Sequence, residues 1–151
     1  MTTLKEQLHE DLTAAIKARD ELRSSTLRLT LASVTSAEVA GTTKRELSDD
    51  EVLHVIGKEA KKRREAAEAF EGAGRTEQAA RERAEGEVLA TYLPQQLTDE
   101  ELAAIVAAAV AESGASGPQG MGAVMKLVRP KVEGRAEGGR VAAAVKAALA
   151  G

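Results

Sequence analysis

The stretch Tyr92-Leu-Pro-Gln-Gln-Leu-Thr-Asp-Glu-Glu-Leu102 marks the point at which one group of helical patterns ends and another begins. Pro94 lacks the N–H that a continuing helix needs, so a helix is predicted to end just before it. Thr98 and Glu101 have the spacing of a capping box, which predicts a new helix start. The predicted division is a domain at residues 1–93, a linker at 94–97 and a domain at 98–151.

Apolar residues recur at helical spacing on both sides of this stretch. Before it, helices are predicted at about residues 4–16, 22–39, 49–71 and 76–92. After it, they are predicted at about 99–113, from Pro118 to Arg129 with Pro130 ending the helix, and from about 137. The second helix is apolar or small on two faces, so we expect neighbours to cover both. No segment alternates with period two, which predicts an all-α fold: a four-helix N-terminal part followed by a small C-terminal three-helix bundle.

Composition places the chain among soluble globular proteins, because 43% of its residues are hydrophobic and 30% are charged. It has no cysteine, which excludes disulfides, thiolate metal sites and a cysteine nucleophile. The first residues lack an apolar signal region, and no apolar run reaches the roughly 20 residues of a membrane helix. We therefore expect a cytoplasmic protein without membrane contact.

The C-terminal segment is basic although the chain as a whole is acidic. Residues 121–151 carry a net charge of +4, whereas the complete chain carries −3. Four cations lie within ten residues of one another, and these candidate nucleic-acid-binding residues are Lys126, Arg129, Lys131 and Arg135. Since the chain has only two aromatic residues, we expect contacts to phosphates rather than base stacking. A merely solvated basic helix pair is the structural alternative.

No constellation of catalytic or metal-binding residues emerges from the sequence. Glu6 with His9, and Glu51 with His54, have the Glu-x-x-His spacing of di-iron helical bundles. The helical wheel places these pairs away from the apolar stripes, so they cannot face one another, and we predict neither a metal site nor a cofactor. No serine, lysine or histidine is placed to form a nucleophile with its base, so we predict no catalytic residues.

The third predicted helix carries a run of charge that resembles a nucleic-acid patch, namely Lys58, Lys61, Lys62, Arg63 and Arg64. Acidic residues four positions away neutralise part of it, which favours a solvated face. Glu59 and Arg63 lie on the apolar stripe instead. Their i,i+4 spacing predicts an ion pair with each other at a helix seam.

Several ordered blocks of the chain resemble one protein family. They are Gly120-Met-Gly-Ala-Val-Met-Lys-Leu-Val-Arg-Pro-Lys-Val-Glu-Gly-Arg-Ala-Glu-Gly138, Tyr92 to Leu102, Arg19 to Arg28, Lys58 to Glu65 and Phe70 to Arg75. Together they are similar to the GatB/YqeY family, the free-standing relatives of the C-terminal tail domain of the B subunit of glutamine-dependent aminoacyl-tRNA amidotransferase. The resemblance covers nearly the full chain.

The resemblance implies a non-catalytic tRNA-binding accessory module, with the carbon–nitrogen ligation that uses glutamine as amido donor belonging to a larger complex. It carries a tRNA-contacting role over to Lys126, Lys131 and Arg135, and Arg129 joins them by position. Glu133 and Gly139 stand where relatives commonly have basic residues. Two alternatives remain: an adaptor that docks on amidotransferase subunits or another translation factor, and an enzyme in its own right.

Overall fold

The structure is a computed structural model that describes residues 1–150, and helices are its only regular secondary structure there. The α-helices are α1 (Leu4–Lys17), α2 (Glu21–Glu38), α3 (Asp49–Gly72), α4 (Thr76–Ala90), α5 (Asp99–Ser113), α6 (Met121–Val132) and α7 (Gly138–Ala150). A short 3-10 helix, Pro118–Gly120, precedes α6. The first four helices form one compact unit, Met1–Leu93, and the last three belong to a second unit that begins at Pro94. The predicted all-α class, with four N-terminal and three C-terminal helices, is confirmed.

Capping boxes begin three of the helices. At α3, Glu51 donates its backbone N–H to the Ser48 hydroxyl at 3.2 Å, and its carboxylate accepts the Ser48 N–H at 3.1 Å. Thr98 and Glu101 form the same pair of bonds at α5, at 3.1 and 3.0 Å. A third box, at Thr3, begins α1. Each box satisfies two N–H groups that a helix start otherwise leaves to water, so local chemistry fixes these boundaries.

In the first unit, α3 packs along α4 and α1 packs along α2, with aliphatic side chains filling the space between the helices. The buried core residues are Leu8, Leu27, Leu31, Val34, Val52, Ile56 and Leu89. Full burial of such a side chain stabilises a fold by about 1.5–3 kcal/mol. The near absence of aromatic residues is thus compensated by many closely packed aliphatic ones.

The helix α2 is covered on one side only, so the prediction that neighbours cover both of its faces is wrong. Its other side, which includes Ala32 and Ser36, remains exposed, and Leu29 keeps 53% of its surface in contact with solvent. Three helices pack against α2, but they leave this strip free. Isolated apolar residues at a surface are common in soluble proteins.

Two charged side chains of α3 face different neighbours, Glu59 towards α2 and Arg63 towards α4. Glu59 is almost completely buried; it accepts hydrogen bonds from the Ser33 hydroxyl at 2.8 Å and from Lys62 Nζ at 3.2 Å. Arg63 faces α4, with its Nη1 3.4 Å from a carboxylate oxygen of Glu85. The predicted ion pair between Glu59 and Arg63 is therefore wrong. Spacing along one helix cannot reveal partners that a second helix brings alongside.

In the second unit, α5, α6 and α7 surround a separate aliphatic core. Its buried residues are Leu97, Leu102, Val106, Ala109, Val124, Val128, Val132, Val141, Val145 and Leu149. Gly120 lies where the packing is tightest. A Cβ at this position would be 2.6 Å from the Ala115 Cβ and 3.6 Å from Leu149 Cδ2. Carbon atoms ordinarily approach to about 3.5–4.0 Å, so a glycine is required here.

The helix α6 continues beyond the proline that was expected to end it. Pro130 lies inside α6, which runs to Val132, so the predicted end at Arg129 is wrong. Val132 is 3% exposed in the core of the unit, and this packing outweighs the local effect of proline in the last turn. Because Pro130 has no N–H, the carbonyl of Lys126 lacks the donor that a regular helix would supply.

Candidate nucleic-acid interface

Residues 94–97 run beside the turn that follows α6. The N–H of Leu97 donates to the carbonyl of Arg135 at 2.7 Å, and Arg135 Nε donates to the carbonyl of Gln95 at 3.2 Å. The turn is possible because Gly134 adopts a φ of 74°, a conformation that glycine reaches without strain. These reciprocal bonds mean that one nitrogen of the Arg135 guanidinium is already used in holding the second unit together.

Lys131 has an acidic partner on a neighbouring helix. Its Nζ lies 3.8 Å from a carboxylate oxygen of Glu112 near the end of α5. About half of each side chain is exposed, 48% for Lys131 and 62% for Glu112. Ion pairs this exposed contribute roughly 0–1 kcal/mol. The ion pair between Lys131 and Glu112 is therefore weak, and Lys131 could leave it to bind a stronger anion.

Lys126 and Arg129 lie together beside a surface groove, which we call the α6–α7 groove. The groove has a volume of about 680 Å³, and its lining residues are Met121, Gly122, Met125, Lys126, Arg129, Pro130 and Ala142. Both cations are exposed. Within residues 1–150 neither forms an ion pair or a side-chain hydrogen bond, in contrast to Lys131 and Arg135. These two side chains are thus available to an external anion.

The four predicted site residues therefore divide into two groups. The structure brings Lys126 and Arg129 to one groove because residues three apart lie on the same side of a helix. Lys131 lies two residues beyond Arg129, on a different side of α6, and Arg135 lies in the turn after α6. Their roles as nucleic-acid contacts remain predictions.

Sequence reasoning did not identify the apolar part of this groove. Met121 and Met125 line it and are half-buried, and Ala142 of α7 lines it from the other side. The i,i+4 spacing of the methionines indicates that they share one side of α6. However, the groove exists only because α7 packs against α6, and no local sequence signal predicts the contact between these two helices.

The remaining charge near the interface is largely compensated. Arg140 donates to the carbonyl of Leu97 at 2.9 Å and pairs with Asp99 at 2.8 Å. The pKa of Glu101 lies below its ordinary value, mainly because its carboxylate accepts hydrogen bonds from Thr98 and in smaller part because Arg135 is positive. Of the four predicted residues, only Lys126 and Arg129, which line the α6–α7 groove, have no ionic or hydrogen-bonding partner within residues 1–150.

Two further properties concern the whole of the described chain. Over residues 1–150, no three histidine, aspartate or glutamate side chains come together in an arrangement suited to holding a metal ion. In the same range, no helix has both the length and the apolar character required to cross a bilayer.

Comparison with known proteins agrees with the motifs quoted above. The family model described as "Yqey-like protein" matches residues 5–149. No curated protein shows a significant match to the chain. The family match covers all seven helices almost completely, including the α6–α7 groove and its two unpaired cations. The expected resemblance is confirmed, and the chain belongs to the YqeY-like family.

Proposed function

We propose that this protein is a non-catalytic tRNA-binding accessory module whose C-terminal basic segment contacts phosphates. The observation that carries the proposal is the pair Lys126 and Arg129, which are exposed, adjacent and without ionic partners in the described chain. The chain belongs to the YqeY-like family, and the resemblance described above implies a likeness to the tail domain that helps an amidotransferase to hold its tRNA. Within this proposal, the chain contributes binding and supplies neither a catalytic residue nor a cofactor.

The four basic residues would contribute unequally. Arg129 can bind a phosphate through two parallel hydrogen bonds, and Lys126 provides a compact second charge beside it. Lys131 would exchange its weak pairing with Glu112 for a phosphate at a cost of roughly 0–1 kcal/mol. Arg135 would offer only the guanidinium nitrogens that its bond to Gln95 does not use. Four phosphate contacts correspond to a logarithmic salt slope of about −3 to −4.

Any chemistry on the tRNA would belong to a larger complex. The ligase reaction of the amidotransferase needs parts that hold the acceptor end and release ammonia from glutamine, and this chain would bring the tRNA to them. Its small surface of phosphate contacts suits a transient accessory role, because a few such contacts give moderate and salt-sensitive affinity.

The test is a measurement of tRNA binding by fluorescence anisotropy over roughly 50–200 mM salt. The double variant Lys126→Ala/Arg129→Ala is compared with Lys58→Ala/Lys61→Ala, which removes the same net charge from the exposed side of α3. We expect the first variant to lower the salt slope by about 2 and the control to leave it nearly unchanged. Circular dichroism of both variants verifies that the helices are intact.

Two results would contradict the proposal. If the wild-type protein does not bind tRNA even at the lowest salt, the module is not an RNA binder. The alternative, an adaptor that docks on another protein, is then favoured. If the two double variants weaken binding equally, attraction depends on net charge alone, and the C-terminal basic segment is not the interface.

A further inference from the structure

The α6–α7 groove has a character that phosphate binding alone does not explain. Most of its lining is apolar, because the side chains of Met121, Met125 and Ala142 face a space that Gly122 leaves open. A phosphate needs none of these groups, and a flat basic surface would serve it as well. The groove, of about 680 Å³, is open to solvent and does not enclose a ligand, so a flat group could lie along it.

Polar groups lie along the same groove. Lys126 and Arg129 supply two positive charges at its edge. The groove thus combines an apolar surface with two cations of α6. Its ligand should carry a flat or apolar part and a negative charge.

We propose, building on the proposed function, that the α6–α7 groove takes one unpaired nucleotide of the bound RNA. The base would lie against the thioethers of Met121 and Met125, since sulfur makes favourable contacts with aromatic rings. The flanking phosphates would lie on Lys126 and Arg129.

This geometry selects loops, bulges and ends of an RNA over its paired helices. Within a duplex the bases are stacked on one another, and an apolar groove cannot reach their faces. An unpaired nucleotide can turn outward and place its base on a protein surface while its phosphates stay accessible. In many RNA-binding domains the bases stack on aromatic side chains. Here the methionine side chains would provide the surface on which the base lies.

Gly122 offers a way to close the groove without disturbing the fold. It lies in α6 with an ordinary backbone conformation, and a Cβ at this position would meet nothing within 4 Å. Gly122→Leu therefore adds a bulky side chain to the lining of the groove and leaves both cations in place. Gly72→Leu is the matched control, because Gly72 is exposed at the end of α3 and a Cβ there would also meet nothing within 4 Å.

The experiment compares two short RNA hairpins that differ by a single bulged nucleotide, each titrated with the full chain at one salt concentration. We expect the wild-type protein and Gly72→Leu to prefer the bulged RNA by about two- to tenfold, the factor that sulfur–aromatic contact provides. Gly122→Leu is expected to bring the two affinities together.

The outcomes separate this inference from the proposed function. Equal wild-type affinities for both hairpins, or a preference that survives in Gly122→Leu, overturns the inference and leaves phosphate binding intact. Failure to bind either hairpin while tRNA is still bound overturns the inference alone, and failure to bind tRNA as well overturns both proposals. If an acidic amphipathic peptide binds the wild type but not Gly122→Leu, and no RNA preference exists, the groove belongs to a protein partner instead.

Discussion

Replacing Gly120 by alanine is expected to destabilise the second unit, although alanine favours helical structure more than glycine does. The added Cβ would lie 2.6 Å from the Ala115 Cβ, about 1 Å closer than carbon atoms ordinarily approach. Leu149 Cδ2 and the Ala115 Cα also lie 3.6 Å from this position, so the new methyl group has little room to move. Overpacking by one methyl group in a close-packed core costs about 1–3 kcal/mol.

The effect of the substitution on backbone entropy favours the folded state and is smaller than the cost of overpacking. Gly120 has φ of −81° and ψ of −6°, which alanine also adopts, so the substitution reduces the entropy of the unfolded chain. That effect stabilises by about 0.4–1 kcal/mol. With the middle of each range, about 2 against about 0.7 kcal/mol, steric overlap dominates and the net loss is expected at about 1.3 kcal/mol. Gly122→Ala, two residues later, meets open space and keeps only the favourable term.

The free energy of unfolding of both variants is measured by urea denaturation followed by circular dichroism. Hydrogen exchange in α5, α6 and α7 then shows whether the loss of stability lies in the second unit. The double variant Gly120→Ala/Ala115→Gly is informative because it removes the carbon atom that the new methyl group overlaps. We expect it to be more stable than the two separate losses predict. If Gly120→Ala is as stable as the wild type, or if Ala115→Gly gives no compensation, the crowding argument is refuted.

Two further predictions concern titrating groups of the first unit. Hydrogen bonds from Arg45, and then from Ser48, lower the pKa of Glu51 from its ordinary 4.5 to about 2, so this carboxylate stabilises the fold above pH 4.5 and loses its effect as the pH falls through 2. Glu51→Gln is therefore expected to flatten the acid side of a plot of urea midpoint against pH, and an unchanged profile would argue against the pairing. Tyr92 has its pKa raised, first by burial and then by its hydrogen bond to Asp11, so its absorbance is expected to titrate above the usual pH of tyrosine. Since it is the sole tyrosine of the chain, a spectrophotometric titration reads it directly, and Asp11→Asn is expected to lower its pKa.

Local signals account for most of what the sequence predicted correctly about the fold. Thr98 and Glu101 determined the start of α5, and the observed helix has the predicted bounds, Asp99–Ser113. The errors arose where tertiary contacts overrode a local rule. Pro130 should end a helix by its own chemistry, but Val132 is buried in the core and keeps the last turn helical.

The candidate site was predictable to a similar extent. Because Lys126 and Arg129 are three residues apart on one helix, their proximity followed from sequence. The partner of Lys131, Glu112, is nineteen positions away, and the partner of Arg135, Gln95, is forty positions away. Such pairings depend on how helices pack, which a single sequence does not report. The apolar part of the α6–α7 groove was missed for the same reason.

The hydrogen bonds between residues 95–97 and the region after α6 have a consequence for the order of folding. They join positions separated by 40 residues at Arg135 and Gln95, and by 43 at Arg140 and Leu97. Closing so long a loop costs chain entropy, so we expect these bonds to form only after the three helices have docked. Hydrogen bonds that form after the folding transition state mainly slow unfolding and change the folding rate little. These hydrogen bonds would then affect how long the second unit stays folded more than how quickly it folds, whereas the buried side chain of Leu97 belongs to the core itself.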